Sequence, residues 1–102
     1  MNNDKLLSFL GLCRRAGKMT IGNDAAVDAI INGESQLILL VNDISARTER
    51  AVTEVANSSN IKIVKLTHNK EEVSNSLGKL TAVMSINDVG FAKKIIQLTA
   101  ND

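Results

Sequence analysis

The run Gln36-Leu37-Ile38-Leu39-Leu40-Val41 constrains this chain more than any other stretch. A strand with one wet face alternates apolar and polar residues. Five aliphatic residues in succession instead mark a strand covered on both faces. Cover on both faces needs helices on both sides of a sheet, so the run predicts an α/β protein with the run as a central strand.

The rest of the chain supplies those helices. Leu6, Leu7, Phe9, Leu10 and Cys13 recur at helical spacing and predict a helix over 4–16, stopped by Gly17. Met19 and Ile21 alternate with polar neighbours in a short strand or an extended turn. Ala26, Val27, Ile30 and Ile31 predict a second helix, closed by Gly33. After the central run, Ser45 caps a third helix over 46–57, and "KIVKL", 62–66, reads as a strand. Asn69 and Glu72 form a capping pair for a helix ending at Gly78, and "AVMSI", 82–86, is the last strand. Asn87 and Asp88 open a final helix that buries Ala92, Ile95 and Ile96. Strands alternating with helices imply parallel pairs, whose carboxyl ends and following helix starts gather on one rim. The loops expected on that rim are "TIGND", "VNDIS", "LTHNK" and "SINDVG".

Composition narrows the function. A chain of 102 residues with 44% hydrophobic residues is expected to fold as one domain over 1–102. It has two Phe and no Tyr or Trp, so the core must be aliphatic. Nucleic-acid readers that stack bases on an aromatic sheet are disfavoured for the same reason. One cysteine excludes an internal disulfide and a cysteine-rich zinc site. There is no signal-peptide pattern and no apolar run long enough to cross a bilayer, so a cytoplasmic protein without a membrane partner is expected. Net charge is +1, but unevenly spread: residues 1–22 carry +3, residues 23–61 carry −4 and residues 62–102 carry +2. A chain nearly neutral overall can still present a basic face.

"GLCRRAGKM" superficially resembles a nucleotide phosphate loop. Five residues separate Gly11 from Gly17 where the motif has four, Met19 occupies the hydroxyl position, and the preceding segment is helical. Cys13 lies on the apolar stripe of the first helix, as a small core residue would. His68 is the chain's one histidine and is distant in sequence. No spacing of acids suggests a metal, no cofactor is expected, and catalytic residues are not assigned; a non-enzymatic protein is the expectation. Arg14, Arg15 and Lys18 form a cationic tail on the first helix. The first two suit the negative end of its dipole, while Lys18 lies beyond the Gly17 stop. Gly22 then opens the second helix without a side chain, followed by Asn23 and Asp24 beside its free amides. Such an entrance suits phosphate oxygens, with nearby polar groups reaching base edges.

Four pieces, "GLCRRAGK", "LILLVNDIS", "EEVSNSLGK" and "NDVGFAKK", occur in that order at suitable spacing. Together they make the chain resemble the bacterial YlxQ-type proteins of the L7Ae-type ribosomal and kink-turn RNA-binding superfamily, from Leu6 to about Leu98. The resemblance implies a three-layer α-β-α sandwich around a mixed four-stranded sheet. It also implies a structured, kink-turn-like RNA as partner, ribosomal RNA among the candidates, with ribosomal or translation proteins as further candidate partners. By position it assigns one RNA surface to Gly22, Asn23 and Asp24, and a second, with apolar cover, to Ile86, Asn87, Asp88 and Val89. Asn42 and Asp43 would lie between them, with Arg14, Arg15 and Lys18 neutralising phosphates. The kink-turn binders show G-x-N-E-x-x-K at the second helix. Here Asp24 stands for Asn, Ala25 for Glu and Asp28 for Lys. The acidic middle and these replacements also fit an alternative, a protein-interaction module that keeps the fold with weak or lost RNA affinity.

Overall fold

A computed structural model of the chain describes residues 5–100. Its elements follow the expected order: α1 Lys5–Arg15, β1 Met19–Ile21, α2 Asn23–Ile31, β2 Leu37–Leu40, α3 Ala46–Ser58, β3 Ile63–Lys65, α4 Lys70–Leu77, β4 Val83–Ile86 and α5 Val89–Ala100. The expected start of the first helix at residue 4 lies outside the described residues. β1 is a true strand, and β2 stops one residue short of each end of the Gln36–Val41 run.

The four strands form one mixed sheet in the order β1-β4-β2-β3. β2 pairs parallel with β3, whereas β4 runs antiparallel to both β2 and β1. Every residue of β2 and β4 is buried. The central run divides by the two-residue period of a strand. Leu37, Leu39 and Val41 join Leu6, Leu10, Cys13, Val73, Leu77 and Ile95 from α1, α4 and α5. Ile38 and Leu40 join Ala26, Ile30, Val52 and Ala56 from α2 and α3. The result is two helices, a sheet and three helices in layers. Burying one such aliphatic side chain contributes roughly 1.5–3 kcal/mol, so these two faces dominate the stabilisation.

The direction of β4 overturns one expectation. With β1, β2 and β3 all pointing one way, their carboxyl ends share an end of the sheet with the amino end of β4. The segment after β4 therefore emerges at the opposite end, beside the starts of β1 and β2: Met19 and Leu37 both register against Ile86. "TIGND", "VNDIS" and "LTHNK" gather on one rim, and "SINDVG" does not join them.

Candidate nucleic-acid interface

At the first rim, β1 gives way to α2 through Gly22. Its amide still donates to the Val83 carbonyl at 3.0 Å, as a last rung towards β4. Its backbone then turns at φ 116 and ψ 155, a region essentially closed to residues with a side chain. The space where a Cβ would project is open, with no atom within 4 Å, so conformation and not crowding demands glycine here. Ala26 closes the first turn by donating to the Gly22 carbonyl at 2.9 Å. No side chain caps α2, and Asn23 and Asp24 are both exposed at its start. Unsatisfied amides and the positive end of the helix dipole therefore meet solvent at this point.

Asn42 and Asp43 lie on the same rim, but their side chains are engaged. Asn42 Nδ2 donates to the Thr67 carbonyl at 2.7 Å, and its amide donates to the His68 carbonyl at 2.8 Å. Asp43 Oδ1 accepts from the Lys70 amide at 2.8 Å, at the start of α4. These contacts tie the ends of β2 and β3 and the start of α4 together. The loop before β4 completes the rim. Gly78 ends α4 in the left-handed conformation at φ 74. Thr81, 1% exposed, pins the loop: its amide donates to Ser74 Oγ at 2.9 Å and its hydroxyl to the Lys79 carbonyl at 2.6 Å. Lys79 and Leu80 are left standing outside, and Leu80, at 77% exposure, is the most exposed large aliphatic among the described residues. Sequence reasoning missed this pair. The signal was present, since Leu80 follows the Gly78 stop and belongs to no periodic stripe.

At the opposite end, Ile86 is fully buried between β1 and β2 and cannot cover an unstacked base; that assignment is corrected. Asn87 is half-buried, and it stitches β4 to β1. Its amide donates to the Lys18 carbonyl at 2.8 Å, its Nδ2 to Thr20 Oγ1 at 2.8 Å, and its Oδ1 accepts from Ser85 Oγ at 2.7 Å. Asp88 Oδ2 accepts from the Phe91 amide at 2.9 Å and so caps α5. Val89 is exposed. Lys18 is exposed at this same end, directly before β1. The cationic tail is split: Arg14 donates from Nη1 to the Leu77 carbonyl, at the end of α4 that leads into the Lys79–Thr81 loop. Arg15 folds back over α1, with Nη1 3.3 Å from where a Gly11 side chain would begin. The cationic tail, the Gly22 entrance and the Asn87–Asp88 turn therefore divide between two ends of the sheet, with Arg14 alone of the tail reaching towards the rim of Gly22.

Cys13 is buried, its thiol donating to the Lys18 carbonyl at 3.6 Å. Burial, and then the Asp88 carboxylate, push its pKa up from 9.0 to about 11. A thiol held protonated is a poor nucleophile, and Cys13 serves as core.

Two helices on one face, three on the other and a mixed sheet between them define a three-layer α/β protein whose second helix opens uncapped at the sheet's end. The chain belongs to the ribosomal protein L7Ae/L30e/S12e/Gadd45 family, whose sequence pattern matches residues 4–96. It is similar to the RNA-binding protein YlxQ of Bacillus subtilis (strain 168), at 32% identity over 99 residues, covering 96% of this chain and 98% of that protein. It is also similar to the RNA-binding protein YlxQ of Enterococcus faecium, at 30% identity over 97 residues, covering 95% and 93%. Among solved structures, a Bacillus halodurans protein of unknown function superposes with a TM-score of 0.90 at 28% identity, covering 96% of this chain and 99% of that one. The Giardia lamblia 15.5kD RNA binding protein shares the fold, with a TM-score of 0.74 at 14% identity over 99% of this chain and 90% of that one.

Proposed function

We propose that this protein is a non-enzymatic RNA-binding protein that grips a structured, kink-turn-like RNA at the rim where α2 opens. The observation that carries the reading is the juxtaposition of a bare helix entrance with an exposed loop leucine. Gly22 leaves the α2 amides uncovered, and its hydrogen bond to Val83 sets it next to the strand entered from the Lys79–Thr81 loop. Phosphate oxygens would sit on the amides after Gly22. Asn23 and Asp24 would reach base or ribose edges. Leu80 would cover an unstacked base, the role the resemblance gave to Ile86 and Val89, and Lys79 and Arg14 would neutralise flanking phosphates. Arg15 and Lys18, with Asn87, Asp88 and Val89, would meet RNA only where the ligand extends past the far end of the sheet. The names of the Bacillus subtilis and Enterococcus faecium relatives support an RNA ligand. A ribosomal RNA, with ribosomal or translation proteins nearby, is the natural first candidate for a member of this family.

The alternative, a protein-interaction module on the same fold, draws on Asp24, Ala25 and Asp28 at α2, where the kink-turn binders carry Asn, Glu and Lys. The two readings separate on one titration. Binding to a kink-turn RNA and to a duplex control, measured at two salt concentrations, should favour the kink-turn and weaken steeply with salt. Salt-independent binding, or none to any structured RNA, counts for the protein module.

A further inference from the structure

The chain has two aromatic residues in all, and they meet. Phe9 of α1 and Phe91 of α5 stack obliquely, with ring centroids 5.2 Å apart and planes at 39°. Neither ring is fully buried. They sit in a furrow between α1 and α5, outside the rim described above. Two adjoining shallow hollows lie along it. One, about 500 Å³, is lined by Lys5, Ser8, Phe9 and Leu12; the other, about 280 Å³, by Phe9, Leu12, Asp88, Gly90 and Phe91. Leu12, 47% exposed, is common to both. Gly90 leaves the furrow wall without a side chain.

An aromatic pair and an exposed leucine in a groove are the composition of an interface centre rather than of a solvated face. The polar groups indicate which partner fits. Lys5 stands at one end of the furrow and Asp88 at the other. Lys5 is seven residues from Leu12, roughly 10 Å along α1 at about 1.5 Å per residue, and Leu12 lines the second hollow together with Asp88. Phe9 falls between these opposite charges. A surface with an apolar middle and one charge of each sign at its ends is complementary to itself when turned through a half-rotation. The net charge of +1 leaves little repulsion between copies.

We propose that the α1–α5 furrow is the contact between two copies of this chain, paired about a twofold axis passing near Phe9 and Phe91, with Lys5 of each copy facing Asp88 of the other. The patch is small, so the pair is weak and concentration-dependent. The α2 entrance lies outside this face, so each pair carries two open rims.

Sedimentation equilibrium of the nuclease-treated protein tests this, over concentrations on the order of 10 µM to 1 mM, where weak association is read directly. The expected result is a mass rising from 11.0 kDa towards twice that value. Leu12→Asp should weaken association at least tenfold with an unchanged melting temperature. Ser8→Arg, at another exposed position, should do the same and guards against a folding defect in the first variant. Lys5→Glu alone and Asp88→Lys alone should each weaken pairing. Asp88→Lys also removes the cap of α5, so both are compared below the melting temperature read for each, where an equimolar mixture should restore pairing because every charged contact is then again between opposite signs. A constant mass across the range, a dimer indifferent to Leu12→Asp and Ser8→Arg, or a mixture no tighter than either variant alone would overturn the proposal.

Discussion

Helices α2 and α4 both begin at the same end of the sheet, and they begin in opposite ways. α4 is closed off. Asn69 Oδ1 accepts from the Glu72 amide at 2.8 Å, Glu72 Oε1 accepts from the Asn69 amide at 2.9 Å, and Asp43 accepts from the Lys70 amide. Glu71 and Glu72 place negative charge against the positive end of the dipole. α2 has Gly22 at the equivalent position, no side-chain cap, and Asp24 as the acid of its first turn. A helix start that has spent its donors on its own side chains contributes to stability and has little left for a ligand. A start capped by glycine gives up only about a few tenths of a kcal/mol relative to a side-chain cap, and it keeps its donors available.

Four changes break or sharpen the contrast. The largest effect belongs to Gly22→Val. A β-branched residue forced to φ 116 should cost on the order of 1–3 kcal/mol of unfolding free energy, read by denaturant titration, and should remove RNA binding at protein concentrations where the variant is still folded. Wild-type RNA affinity in that variant would sink the proposed role of α2. Next is Asn69→Ala, which opens the α4 cap. It should lower stability by about 1 kcal/mol while leaving RNA affinity alone. A comparable loss of RNA binding would mean that the two helix starts do not divide their labour. Leu80→Ala should show the reverse pattern. A side chain 77% exposed contributes little to folding, so the melt should shift by no more than about 0.5 kcal/mol. RNA affinity should nevertheless fall by about 1 kcal/mol, as expected for an aliphatic contact buried only in the complex. Smallest is Asp28→Lys, which places the charge carried by kink-turn binders at this position. Affinity for a kink-turn RNA should rise, and the salt dependence should steepen by about one unit in slope. An unchanged slope would place the RNA away from this face of α2.

The two ends of the molecule differ in how far they could be read in advance. The α4 cap was legible because Asn69 and Glu72 act over three residues of one chain segment, and the hydrogen bonds follow from that spacing. The Gly22 entrance was legible for the same reason, as an uncapped glycine directly before a periodic helix. Asn87 and Asp88 read as the residues that open α5, and the resemblance points their side chains at a ligand. Instead Asn87 spends its amide group on Thr20 and Ser85, partners that only strand pairing brings near. Ile86 reads as a candidate contact at the end of a strand and is buried, because β1 and β2 flank β4 on both sides. Leu80 is legible as a residue past the Gly78 stop that belongs to no periodic stripe, but how far it stands out is set by the pinning of Thr81 to Ser74 and Lys79.

By itself the sequence determined which segments are helix and strand, that the central run is covered on both faces, and where helices start and stop. Those properties arise from periodicity and from contacts within a few residues, so they are written locally. Tertiary structure alone decided the direction of β4, and with it which loops share a rim. Nothing in "AVMSI" states whether its neighbours run with it or against it; that follows from which pairing buries both faces of β2 and β4 at once. The same choice carried Asn87 and Lys18 to one end of the sheet and left Gly22 and Leu80 at the other.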